Sequence, residues 1–243
     1  MLCHQDRIHP ERSKAAKAIP GRSPGRTGPA VPRNVQGFGK RCQRLAQTPG
    51  QTSGLLALRI KVLVACEYSG KVRDAFLRLG HDAISCDLLP TEAPGPHYQG
   101  DCFDLDWSEY DLVIAHPPCT ALAVSGNRWY SGTQARKDAA AFVRRMWEQP
   151  VDKMAIENPV GVLNRLIPEL PRPQYIQPWQ FGHGEVKRTG LWTRGLPPLK
   201  PTEIVDGREQ RIWRIGPSKD RAKLRSETYQ GIADAMALQW GGL

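Results

Sequence analysis

The 243-residue chain has no apolar run approaching the ~20 residues that span a bilayer. Its N-terminus has no apolar core of the kind a secretory signal carries. No membrane association is therefore expected. The six cysteines, Cys3, Cys42, Cys66, Cys86, Cys102 and Cys119, never form a C-x-x-C pair. That spacing argues against a zinc framework, and no metal is expected. Free thiols in a reducing cytosol are the simplest reading. A G-x-G-x-x-G run is absent too, which argues against a dinucleotide cofactor. No internal repeat is present. Acidic residues are scarce in residues 1–58, where only Asp6 and Glu11 face ten Lys and Arg.

That scarcity explains the basic balance. Residues 1–58 carry a net +8 of the chain's +10, leaving +2 for the other 185 residues. The high pI thus says little about whether the folded part binds nucleic acid. The segment is rich in Pro, Gly, Ser, Arg and Gln and has no periodic apolar face, so it reads as a disordered basic tail. A salt-sensitive arm for phosphate backbone and an extension from an early start codon are both open readings. Residues 59–243 form the expected domain, large enough to bury roughly 70% of its unfolded surface.

Short β-branched runs alternate with helical stripes in that domain. Lys61–Cys66, Ala83–Cys86, Asp111–Ala115 and Lys153–Glu157 read as buried strands, and Tyr175–Gln177 and Gly190–Thr193 as later ones. Val72, Ala75, Phe76 and Leu79 recur at helical spacing, as do Ala139, Phe142, Val143 and Met146. Ile232, Ala233, Met236, Ala237 and Trp240 form a closing stripe. The pattern predicts an α/β fold with a mainly parallel sheet and right-handed crossovers. Ligands of such sheets bind beyond the carboxyl ends of the strands, where Cys66–Gly70, His116–Cys119 and Glu157–Pro159 fall.

Each of these segments suits a chemistry. Gly70 lets backbone approach a nucleoside, with a helix N-terminus behind it. Asp87, at the end of the next strand, can accept ribose hydroxyls. Asp101 can meet an adenine amino group or simply be a solvated loop aspartate. Pro117 and Pro118 fix the backbone before Cys119, so the thiol is held in one place, ready to act as a nucleophile. Glu157, at the end of a buried strand beside apolar surface, is expected to have a raised pKa and to donate a proton. A positioned thiolate and a proton-donating carboxyl on neighbouring strand ends are what addition to C6 of a pyrimidine requires.

These residues resemble those of the DNA cytosine-C5 methyltransferases, particularly the short forms of phages and prophages. The similarity runs from about residue 60 to 241, in the family's order. Pro117-Pro118-Cys119 looks like the nucleophile motif and Glu157-Asn158-Pro159 the Glu-Asn motif. Lys187-Arg188-Thr189-Gly190-Leu191-Trp192 is similar to the Arg-rich motif, and Gln230–Met236 to the closing motif. The resemblance implies a class I S-adenosylmethionine-dependent methyltransferase fold, Rossmann-like, with helices on both faces. It implies S-adenosylmethionine bound by Glu67, Tyr68, Ser69, Gly70, Asp87, Asp101 and Pro117. Cys119, Glu157 and Arg188 would be catalytic. Pro118, Asn158, Ser125 and Arg128 would contact the substrate, with Ser125–Tyr130 closing over a flipped base.

The chain departs from the family in four places. The first glycine motif keeps Gly70 but lacks the usual second glycine pair. One arginine, Arg188, stands where two are usual. The closing motif lacks its usual Asn. Only 43 positions separate Arg188 from Gly231, little room for a target-recognition domain. In that interval Arg208, Arg211, Arg214, Lys219, Arg221, Lys223 and Arg225 outnumber Glu209 and Asp220, with Trp213 among them. They read either as phosphate contacts or as a solvated loop. The expected function is methyl transfer to C5 of cytosine in DNA, by a monomer in the cytoplasm of a bacterium or phage-infected cell. The alternatives are C5 modification of a free cytidine nucleotide, amino-methyl transfer, and a catalytically inactive DNA-binding relative.

Overall fold

The computed structural model describes residues 58–216, 218, 221–226 and 228–243. The expected tail, and Lys219 and Asp220 of the basic stretch, lie outside them. Seven strands form one sheet: β1 (Lys61–Ala65), β2 (Asp82–Asp87), β3 (His97–Gln99), β4 (Leu112–Ala115), β5 (Met154–Pro159), β6 (Gln174–Ile176) and β7 (Thr189–Arg194). Their order across the sheet is β3-β2-β1-β4-β5-β7-β6. All neighbouring pairs are parallel except β5–β7 and β6–β7. This is the mainly parallel, Rossmann-like arrangement that the sequence implies, with β7 as the one reversed strand.

Period-two alternation builds the two faces of the sheet. Leu63, Val113, Met154 and Ile156 pack one way, against Ala139, Val143 and Met146 of α3 (Gln134–Trp147). Val62, Val64, Leu112 and Ile114 pack the other way. There they meet Val72 and Phe76 of α1 (Lys71–Arg78) and Ile232, Met236 and Trp240 of α7 (Gln230–Trp240). Between β4 and α3 lies α2 (Asn127–Tyr130). The short helices α4 (Leu163–Leu166), α5 (Arg211–Arg214) and α6 (Arg221–Ser226) complete the chain. No helix among the described residues is long and apolar enough to cross a membrane.

The sheet's polarity places the site. The carboxyl ends of β1, β2, β4 and β5 share one edge because these strands are parallel. The reversed β7 brings its beginning to that same edge, pairing Thr189 with Pro159.

Candidate active site

At the end of β1 the chain turns sharply. Cys66 takes a left-handed conformation, φ 59°, which is rare for a residue with a Cβ. The turn aims Glu67 back at α1. Its buried carboxylate accepts from the N–H of Val72 at 2.7 Å, from that of Arg73 at 3.2 Å and from the Ser69 hydroxyl at 3.2 Å. An open helix N-terminus is an anion site. Here Glu67 fills it, so a pyrophosphate would meet a buried negative charge. The turn therefore suits a nucleoside without phosphate, and a cationic centre suits it better still. This alters the role expected for Glu67: both its oxygens are engaged by the protein, and it shapes the turn from beneath. Tyr68 is buried, and its carbonyl accepts from the N–H of Glu92 at 2.8 Å. Gly70 has φ 75°, so the turn requires its freedom.

Asp87 ends β2 as expected. It is largely buried, and its Oδ1 accepts from the N–H of Leu89 at 2.9 Å. Burial pushes its pKa up, with the Leu89 N–H and His97 pulling against that. Asp101 is exposed and caps a single 3-10 turn, accepting from the N–H of Phe103 at 3.0 Å.

The segment after β4 and the end of β5 are laced together along their length. Asn158 Nδ2 donates to the Pro117 carbonyl at 3.2 Å. Val124 N–H donates to the Val160 carbonyl and Val162 N–H to the Leu122 carbonyl, each at 3.0 Å. Ala123 and Gly161 form an antiparallel bridge. A Cβ at Gly161 would stand 2.0 Å from the Leu122 carbonyl oxygen, so only glycine permits this approach. Within the lacing, the Cys119 carbonyl accepts from the N–H groups of Leu122 and Ala123, closing a tight turn under the half-buried Cys119. Arg136, buried on α3, donates from Nε to the Ala121 carbonyl of that turn at 2.8 Å. Asn158, expected at the substrate, is itself buried and ties the two strand ends together.

Glu157 lies on this edge with His116 Nδ1 at 2.7 Å and the Thr228 hydroxyl at 3.5 Å. Burial works to raise its pKa, but the His116 hydrogen bond and the charges of His116 and Lys187 outweigh it. The carboxyl is held below the ordinary glutamate range. The expectation of a raised pKa is thus corrected. Apolar surroundings alone would raise it; the His116 partner, three residues before Cys119, reverses the sign.

Lys187 and Arg188, just before β7, have different neighbours. Glu157 pairs with Leu191 and Pro159 with Thr189, so these four share a face. Lys187, two residues before Thr189, is the cation that acts on Glu157. Arg188 falls on the other face, where its guanidinium stacks over Tyr175 of β6 at 4.1 Å. Arg188 thus stacks on Tyr175 and is not among the charges that act on Glu157.

The loop after Cys119 carries Ser125 and Arg128, both near the rim. Gly126 presses on the Thr120 carbonyl, where a Cβ would come within 2.3 Å. Arg225 of α6 donates to the Ser125 hydroxyl at 3.5 Å. Arg128 sits 5.1 Å from the ring centre of Trp129, which is 70% exposed. Beyond the site, an open cleft of roughly 750 Å³ is lined by Arg208, Glu209, Gln210, Arg211, Arg214 and Ile215. Arg211 pairs with Glu185, which also accepts from the Tyr229 hydroxyl at 2.7 Å. Thr228, next to Tyr229 in the chain, is the residue whose hydroxyl faces Glu157.

No family model matches the chain, and no curated protein does. Solved structures do. A prophage-encoded E. coli protein described as a DNA modification methyltransferase is 14% identical, with TM-score 0.42, over 60% of this chain and 52% of its own. Entamoeba histolytica methyltransferase EhMeth is 14% identical, with TM-score 0.40, over 63% and 57%. S. pombe Dnmt2 methyltransferase is 14% identical, with TM-score 0.39, over 58% and 51%. The chain thus spans little more than half the length of each. Its fold assignment rests on its own strand order.

Proposed function

We propose that this protein transfers a methyl group from S-adenosylmethionine to C5 of cytosine in DNA, through a covalent bond between Cys119 and C6. The observation that carries the reading is the lacing of the Cys119 turn to the Glu157 strand end. It brings the turn that carries Cys119 and the strand end that carries Glu157 to one edge of the sheet, which supports a joint role for the two. The cofactor side supports it. Glu67 closes α1 to phosphate, and Asp87 offers a carboxylate to ribose, which together fit a sulfonium nucleoside. That cofactor supplies an electrophilic methyl group when bound.

Cys119, as thiolate, adds to C6; the C5–C6 π pair shifts to C4–C5 and the C4–N3 pair to N3, which takes a proton and gives it back when the C6–S bond breaks. C5 becomes nucleophilic and takes the methyl group. Loss of the C5 proton and of the C6–S bond restores the aromatic ring and the thiolate. Glu157 starts ionised, so its first task is to accept from the cytosine amino group. Closure over the base removes water from Glu157, and this favours its protonated form. A proton drawn through His116 then serves N3 as the sulfur adds. Lys187, whose charge acts on Glu157, answers negative charge that collects on the base carbonyl. Pro117 and Pro118 keep the thiol on line, and Ser125 and Arg128 stand at the rim for the flipped nucleotide. Arg208, Arg211, Arg214 and Arg225 hold phosphates. Transfer of labelled methyl to duplex DNA, with dCMP as a competing acceptor, tests the reading. Transfer to dCMP alone contradicts a DNA acceptor, and transfer by Cys119→Ser contradicts the covalent route.

A further inference from the structure

Arg73 carries a dense set of hydrogen bonds outside the reacting centre, one of them from Nε to Asp74 at 2.8 Å. Its guanidinium is fully buried. Nη2 donates to the Ala93 carbonyl at 3.1 Å and the Pro94 carbonyl at 3.3 Å. Nη1 donates to the Thr91 hydroxyl at 3.2 Å and the Pro96 carbonyl at 3.4 Å. The strap 88–96, between β2 and β3, is wrapped around this one group. Gly95, at φ 155°, comes so close that a Cβ would lie 2.7 Å from the guanidinium. Glu92 ties the strap to Tyr68 of the first turn.

One branch of this network leads to Asp87. Arg73 Nη1 donates to the Ser85 hydroxyl at 3.2 Å. Ser85 Oγ lies 2.8 Å from His97 Nδ1, and His97 Nε2 lies 3.0 Å from the Leu89 carbonyl. A carbonyl only accepts, so His97 carries its proton on Nε2 when neutral, and Nδ1 accepts. The Ser85 proton therefore points to His97 and not to the Pro96 carbonyl, which is 3.5 Å away. Leu89, pinned by His97, donates its N–H to Asp87 at 2.9 Å. Every donor faces the same way, from the buried cation toward the carboxylate. Ser85 and Asp87 lie two apart on β2, on one face, and His97 is the strand partner of Ser85. A network in which every member is satisfied holds a single geometry.

We propose that Arg73, Ser85 and His97 are positioning residues that fix Asp87 for the ribose hydroxyls of the cofactor, and so set discrimination between ribosyl and 2′-deoxyribosyl ligands. The proposal rests on the cofactor reading above. Its consequence is selective. Loosening Asp87 weakens a ligand that has both hydroxyls more than one that keeps only the 3′-hydroxyl. A merely structural role would weaken both alike.

The test is calorimetric binding of S-adenosylhomocysteine and its 2′-deoxyribosyl analogue to the whole protein, wild type against Ser85→Ala and His97→Phe, with melting curves as the folding control. The wild type is expected to favour the ribosyl ligand by about tenfold, the usual consequence of losing a hydrogen bond to a charged acceptor. In the variants the ratio should fall to within about twofold. A ratio kept at its wild-type size in folded variants overturns the proposal, as does an equal loss for both ligands. Nitrogen NMR of the wild type supplies a test independent of any variant: a His97 ring protonated on Nδ1 alone overturns the relay. Failure of the wild type to bind either nucleoside is a distinct outcome. It removes the cofactor reading, and the proposal with it.

Discussion

Glu157 decides what the site can do before substrate arrives. A buried glutamate would ordinarily be neutral. Here His116 and Lys187 keep it ionised. Because its folded pKa lies below the unfolded value, its contribution to stability is fully present above the unfolded pKa of ~4.3 and is lost as the pH falls through the folded value. Glu157→Gln should therefore cost stability at neutral pH, by roughly 1–3 kcal/mol for a hydrogen bond to a charged group. The gap should close in acid. Urea melts of both proteins between pH 3 and pH 7 check the sign. A gap that widens in acid would mean the carboxyl is protonated at rest. The different neighbours of Lys187 and Arg188 give a second residue-scale prediction. Lys187→Met should lower kcat/KM by about tenfold or more, on the same magnitude for a charged contact. Arg188→Met should change it by no more than about twofold, since that guanidinium stacks on Tyr175. Steady-state kinetics on one DNA substrate rank the two, and the reverse ranking would give the base contact to Arg188.

Among the elements, the loops joined at Gly161 matter most. The lacing of residues 122–124 to 160–162 is what turns two separate strand ends into one site. Gly161→Ala forces a backbone shift because the new Cβ meets the Leu122 carbonyl. It should cost about 1–3 kcal/mol and depress methyl transfer. Gly242→Ala, where an added Cβ meets nothing, is the control. Thermal melts and initial rates of both variants suffice, and an unaffected Gly161→Ala would show the lacing is dispensable. Most strands were legible in the sequence because both their faces are buried, so residues 62–65 and Leu112–Ala115 stand out as unbroken apolar runs. β3 was not, because His97–Gln99 has only three residues and no fully buried side chain. The reversal of β7 was not legible either, since a strand's direction is set by its connections and leaves no mark on its composition. At the site, the sequence pointed to Cys119, Glu157 and Asp87 through their positions after strands. It could not reveal His116, Thr228 or Arg73 as partners, because those contacts cross 41, 71 and up to 23 positions of chain.

At the scale of the molecule, charge and size set the limits on recognition. Between Arg188 and Gly231 the described residues hold β7, two short helices and the arginine-lined cleft. Direct readout needs several side chains delivered to base edges, whereas phosphate contacts carry no sequence information. The isolated protein should therefore methylate a short target, with two or three defined bases at most around the cytosine. Bisulfite sequencing of treated DNA tests this, and methylation confined to four or more fixed bases refutes it. Activity should fall steeply with salt. Arg214→Gln and Arg225→Gln should each lower the slope of log affinity against log salt by ~0.9.

The central claim is the bond between Cys119 and cytosine C6. DNA carrying 5-fluorocytosine puts it to the test, because fluorine cannot leave C5 as a proton does, and elimination stalls after methyl transfer. With S-adenosylmethionine present, the wild-type protein should give an adduct that survives denaturation, and peptide mapping should place the DNA on Cys119. Cys119→Ser should give none, since its hydroxyl is hardly ionised at neutral pH. A wild-type protein that methylates ordinary DNA but leaves no adduct on 5-fluorocytosine, or a serine variant that still forms one, would contradict the account.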